Sequence, residues 1–150
     1  MRYFKLLFLA IMSIIAIGCE KSVIDNEQQQ PEPEVTYEAM DGAWQLTEWR
    51  GVALSDQTFL YIAFDDETRR FEMWDNLGSM YTLQRAGTYS ISTNTKGEYI
   101  LCGTYDNGVG DWNKSYEAHF TQRGDSDYMA WITDSESMLF KHIDSIPELN

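Results

Sequence analysis

The sequence predicts an all-β fold, an antiparallel up-and-down β-barrel of about 8–10 strands, with a two-sheet β-sandwich as the alternative architecture. Three observations lead there. Residues 41–150 carry 17 aromatic side chains (five Trp, seven Tyr, five Phe), and aromatic and β-branched residues favour the pleated, half-buried surface of a strand. These residues come in short runs split by Gly, Asn and Asp clusters, the pattern of strands joined by tight turns. Between Pro33 and Pro147 there is no proline, and no stretch has the pattern of a long helix. Short connections make consecutive strands neighbours, and closure into a barrel removes the unpaired edges a meander would leave.

Nine strand segments are predicted in order. Residues 44–49 form the first, with Trp44, Leu46 and Glu48 on one face. Residues 58–64 form the second, where period-two alternation aligns Leu60, Ile62 and Phe64. The acidic run Asp65-Asp66-Glu67-Thr68 turns it back into 69–74, so that Phe71 and Met73 share the inward face while Tyr61 and Trp74 face away. Further strands follow at 80–85, 88–92, 98–105, 116–121, 128–133 and 138–143.

The segment before the domain reads as an address and a spacer. Arg2 and Lys5 precede twelve residues, Leu6 to Ile17, that are apolar but for Ser13, the n-region and h-region of a secretory signal. A membrane-spanning helix needs about 20 apolar residues, so this run is too short to span. The junction Ala16-Ile17-Gly18-Cys19 resembles the lipobox of bacterial lipoproteins. That resemblance implies residues 1–18 are a signal peptide and Cys19 is the lipidated new N-terminus, with acyl chains enough for stable anchoring. Residues 19–40 carry six acids, three consecutive glutamines and Pro31-Glu32-Pro33-Glu34. Such a segment buries too little apolar area to offset its ordering entropy, so it is expected to be a solvated acidic tether. The domain then occupies 41–150.

Charge excludes whole classes of function. The chain has 24 acidic and 11 basic residues, a formal net charge of −13. This field repels phosphate backbones and anionic headgroups, so nucleic acid is excluded and the membrane is met only through the lipid anchor. At 150 residues the chain has room for one domain. One of its two cysteines is assigned to lipid, which leaves no disulfide framework.

Within the domain, Gly42-Ala43-Trp44 opens the first strand, "GTYSI" lies midway and "MLFKHI" closes the chain. The Gly-x-Trp resembles the motif that opens lipocalin barrels, and the order of the pieces is similar to lipocalin-like domains of small lipoproteins in gut Gram-negative bacteria. The resemblance implies that Gly42 and Trp44 close one barrel end. It also implies that a basic side chain of a late strand, Lys141 or His142, packs on that tryptophan.

Motifs of catalysis are missing: no Gly-x-Ser-x-Gly, His-Glu-x-x-His, phosphate-binding glycine loop or Cys-x-x-Cys occurs. Glu117 and His119 share a strand face, and with His142 they are the one metal-site candidate; strand parity alone generates such pairs, and a polar strand face is favoured. Cys102 is read as a buried small apolar residue. The acidic clusters Asp65-Asp66-Glu67, Asp106 with Asp111, and Asp125 with Asp127 have no EF-hand spacing and are read as turns. No cofactor, metal or catalytic residue is expected.

The aromatic surplus is the feature that points to binding. Tyr89, Tyr105, Tyr116 and Trp131 are the candidate walls of a pocket. Trp112 lies in the glycine-rich connection Asp106-Asn107-Gly108-Val109-Gly110-Asp111-Trp112-Asn113, as a gate, a sugar-stacking platform or a plug folded back into the barrel. The expected function is a non-catalytic, lipid-anchored envelope protein, on the outer membrane, that binds a small apolar or amphipathic ligand or a glycan fragment. The alternative is a filled barrel that docks or inhibits an envelope protein partner; a metal-dependent hydrolase ranks last.

Overall fold

A computed structural model describes residues 32–107, 112 and 114–149 of the chain. It is a closed antiparallel eight-stranded up-and-down β-barrel, with 57% of the described residues in strands and 4% in helix. Helix α1 (Tyr37–Met40) precedes strands β1 (Gly42–Trp49), β2 (Val52–Ala53), β3 (Leu60–Asp65), β4 (Arg70–Asp75), β5 (Leu83–Thr93), β6 (Tyr99–Tyr105), β7 (Tyr116–Arg123), β8 (Ser126–Thr133) and β9 (Glu136–Ile143). From β3 onward each strand pairs with the next. β1 pairs with both β3 and β9 and so closes the cylinder, while β2 is a two-residue addition to the edge of β1.

Alternation along each strand builds the core. Leu60, Ile62 and Phe64 of β3, with Phe71 and Met73 of β4, are buried inside, as the period of two requires. The β3–β4 hairpin is held by its turn: Asp65 Oδ1 accepts from both the backbone N–H and the hydroxyl of Thr68 at 2.7 Å. Those hydrogen bonds hold the Asp65 carboxyl below its ordinary range.

Four sequence expectations are corrected. The segments 80–85 and 88–92 belong to one long strand, β5, which turns no corner at Ala86-Gly87. Gly87 is there because a Cβ would come within 2.0 Å of the Thr104 carbonyl oxygen and 2.8 Å of the Phe71 ring. In β1 a bulge between Leu46 and Glu48 shifts the register against β9. Glu48 therefore leaves the face of Trp44 and Leu46, and Trp49 packs against the core instead. Cys102 is half-buried, because Leu101 and Gly103 take the inward positions on either side of it; its Sγ lies 3.1 Å from Ser115 Oγ. The described part of the tether is not solvated throughout. Val35 and Met40 are buried, Tyr37 packs at a tilt 5.4 Å from Tyr89, and Thr36 caps α1 by accepting from Ala39 N–H. Three apolar side chains in an acidic stretch suffice to fold its end across the barrel.

That segment closes one end, the capped end, where the β3–β4, β5–β6 and β7–β8 turns also lie. The other end, the mouth, gathers the β1–β2 turn, the β4–β5 loop, the β6–β7 connection and the β8–β9 turn. The wall is weakest between β6 and β7, where two residue pairs align, Ile100 with Glu117 and Leu101 with Tyr116, against seven between β7 and β8.

Candidate functional site

The capped end is built around Trp44. Its indole N–H donates to the Met40 carbonyl at 2.8 Å, and its ring meets His142 edge-on at 4.9 Å and Phe120 at 5.7 Å. Of the two basic residues considered, His142 is thus the one on the tryptophan. Gly42 has φ +99°, and a Cβ there would stand 3.0 Å from His142 Nε2, so the motif glycine lets the histidine approach. A cleft of about 410 Å³ between Pro33, Asp41, Trp44, Gln122, Asp127 and His142 opens beside this cap. Tyr89 belongs to this half: it packs 4.7 Å from Phe64 and its hydroxyl points to the Asp65 carbonyl.

Tyr105, Tyr116, Trp131 and Trp112 are brought together toward the mouth. Trp112 comes in from the β6–β7 connection and is only 7% exposed. It stacks on Trp131 (4.8 Å, 23°) and meets Phe71 edge-on at 4.9 Å. Trp131 in turn lies 5.3 Å from Tyr116 and 4.6 Å from Phe140, and Phe71 lies 5.8 Å from Tyr105. The middle of the barrel is therefore filled with rings. Gly103 is required by this plug: a Cβ on it would fall 2.1 to 2.5 Å from the fused edge of the Trp112 ring.

Around this aromatic floor the mouth carries polar groups that the sequence reading did not single out. Asp75 is buried at 1% exposure and pairs with the guanidinium of Arg85; it also accepts from Leu77 N–H. Arg85 lies over the Tyr105 ring. Across the mouth, Glu136 accepts from Trp49 Nε1 at 2.7 Å and Lys114 Nζ at 2.6 Å. Those donors, Lys114 first, hold its carboxyl below the usual range. Parity carried a signal for all three: Asp75 follows Phe71 and Met73 at steps of two, Arg85 precedes Gly87 and Tyr89, and Glu136 precedes Met138 and Phe140.

Donors and acceptors in the mouth do not balance. Both carboxylates are engaged, yet the buried N–H groups Arg85 Nε, Trp112 Nε1 and Trp131 Nε1 have no hydrogen-bond partner among the described residues. By contrast the indoles of Trp44 and Trp49 are both satisfied. Burial, helped by Glu136 and Tyr105, pushes the Tyr116 hydroxyl up to about 12. Burial likewise raises Tyr105, with Asp75 adding to the effect and Arg85 opposing it. Both phenols therefore stay protonated at neutral pH and are further donors.

The remaining candidates do not converge. His119 lies on the outer face, with Nε2 2.6 Å from Glu117 and Nδ1 3.1 Å from Glu32, whereas His142 faces inward at the capped end. Among the described residues no three metal-binding side chains cluster. Asp106 pairs with Arg70, and Asp125 and Asp127 border a shallow cleft with Lys141. Cys19 and Asp111 lie outside the described residues. No described helix is long and apolar enough to cross a membrane.

Comparison with protein-family models, with curated proteins and with solved structures gave no match.

Proposed function

We propose that the chain is a lipid-anchored envelope lipoprotein, akin to lipocalin-like lipoproteins, whose barrel performs no covalent chemistry and binds a small amphipathic ligand at its mouth. The observation that carries the binding reading is the surplus of buried donors, Arg85 Nε, Trp112 Nε1 and Trp131 Nε1, above an aromatic floor. A buried donor left unsatisfied costs about 1–3 kcal/mol, so an acceptor-bearing ligand (carbonyl, ether or hydroxyl oxygens on an apolar body) gains where the empty protein loses. Tyr105, Tyr116 and Trp131 supply contact area, and Arg85 supplies orientation. Anchoring rests on the leader and Cys19.

The experiment is native against denaturing mass spectrometry of the protein from its own envelope fraction. It should show an N-terminal diacylglyceryl mass on Cys19, absent in Cys19→Ser, and a non-covalent mass lost on denaturation. An apo mass after exposure to envelope lipid and glycan extracts contradicts the binding reading.

A second reading has its own support. The exposed large apolar residues among those described are Val52, Met80, Tyr81, Leu83 and Ile132, and all stand on elements at the mouth. Such a rim also suits a protein partner, and co-purification abolished by Met80→Ser/Tyr81→Ser would favour it.

A further inference from the structure

We infer that Trp112 occupies the seat of the barrel's own ligand, and that this ligand is a planar aromatic molecule with at least one oxygen acceptor, which displaces the indole and accepts from Trp131 Nε1. The inference rests on the ligand-binding reading and names its chemical class.

The slot has the shape of a flat ring. The face of the Trp112 ring lies on Gly103, where even a methyl group would overlap it. Trp131 stacks on it nearly parallel, and Phe71 closes the edge. A flexible acyl chain has no need of a glycine-floored, tryptophan-walled slot, whereas a fused two-ring system fills it at stacking distance. The present occupant fits the slot in shape and fails it in chemistry. Trp112 offers only an N–H donor, as does Trp131 against which it stacks, so two buried donors face no acceptor. An aromatic ring bearing a carbonyl or phenolic oxygen keeps the stacking and adds the missing acceptor. Displacement also lets the Trp112 N–H reach water. Among the described residues the backbone of Trp112 is held by a hydrogen bond from its N–H to the Gly103 carbonyl at 2.9 Å. Phe71 links the seat to Tyr105, and Arg85 lies over the Tyr105 ring with its buried Nε unpaired among the described residues.

The test uses the full chain in lipid nanodiscs, with 7-hydroxycoumarin as planar probe and oleate as flexible apolar control. Because an occupied seat weakens apparent affinity by the fraction left vacant, Trp112→Ala should bind the coumarin at least tenfold more tightly than wild type. Trp131→Phe, which keeps an aromatic ring of smaller face and removes the donor, should bind it at least fivefold more weakly. In the wild type, coumarin should raise the oxidation of Trp112 by N-bromosuccinimide at least fivefold, mapped by peptide mass. This readout needs no variant to fold. If coumarin or oleate binds while Trp112 stays protected, or if Trp112→Ala folds and leaves the coumarin affinity unchanged, the seat is wrong and the barrel reading stands. If neither probe binds wild type or variant, both fail.

Discussion

Two glycines and an ion pair with one buried partner, Asp75, set the packing toward the mouth. Gly103→Ala places a methyl group inside the Trp112 ring, so it should destabilise the fold by about 1–3 kcal/mol, the usual range for overpacking. The same change in a Trp112→Ala background should cost well under 1 kcal/mol, because the clash is gone; urea unfolding of the four proteins reads this coupling. Asp75 is buried and paired with Arg85. Removing Arg85 leaves its charge without a partner, and Arg85→Met should destabilise by about 3–5 kcal/mol, whereas the double change Asp75→Leu/Arg85→Met should recover most of that loss. The inward face of Asp75 was legible from the step of two that follows Phe71 and Met73. The partner was hidden because it required 80–85 and 88–92 to be one strand. Gly87, which lies between the two expected segments, is demanded by Phe71 and the Thr104 carbonyl from neighbouring strands, and no local pattern records that.

At the scale of the element, the strands were readable and their ends were not. β3 and β4 followed from alternation, and the turn between them from Asp65 and Thr68. β1 departs from alternation at the bulge after Leu46, which exists to suit the register of β9, a strand some 90 residues away. The tether's last residues depart from their composition for a related reason: it is acidic, but Val35, Tyr37 and Met40 meet the barrel at its capped end and are buried or packed there. Met40→Ala should therefore cost about 2–5 kcal/mol, as for a fully buried core side chain, and Glu34→Ala, exposed beside it, under 0.5 kcal/mol. The β6–β7 seam, with two aligned residue pairs, should be the first part of the wall to open. Its amides in native-state hydrogen exchange should exchange well before those of β7–β8.

At the scale of the whole molecule, polarity runs along the barrel axis. Trp44, His142 and the N-terminal segment seal one end. Trp112, the uncommitted donors and an apolar rim mark the other. The Gly-x-Trp resemblance implied Trp44 as a barrel-end residue; of the candidate walls Tyr105, Tyr116 and Trp131 gather with Trp112, whereas Tyr89 lies in the capped half. The polar ring of the mouth could not be anticipated, since Glu136, Lys114 and Trp49 meet only when the sheet has closed. Burial of the tyrosines gives a pH signature. The Tyr116 hydroxyl titrates at about 12 in the folded chain, above an unfolded phenol at about 10, so the unfolded state loses its proton first. Stability is then full below about pH 10 and declines as pH rises toward 12. Tyr116→Phe should flatten that decline in thermal unfolding.

The central claim, a ligand seated at the mouth, is tested most directly by the indole N–H resonances of a 15N-labelled chain during titration with envelope extract. Five tryptophans report on separate places: Trp44 at the capped end, Trp74 on the outer wall, Trp49 at the mouth, and Trp112 and Trp131 inside it. With a ligand seated at the mouth, Trp112 and Trp131 should shift while Trp44 and Trp74 stay in place. Unmoved resonances throughout, or a shift confined to Trp44 or Trp74, would contradict it.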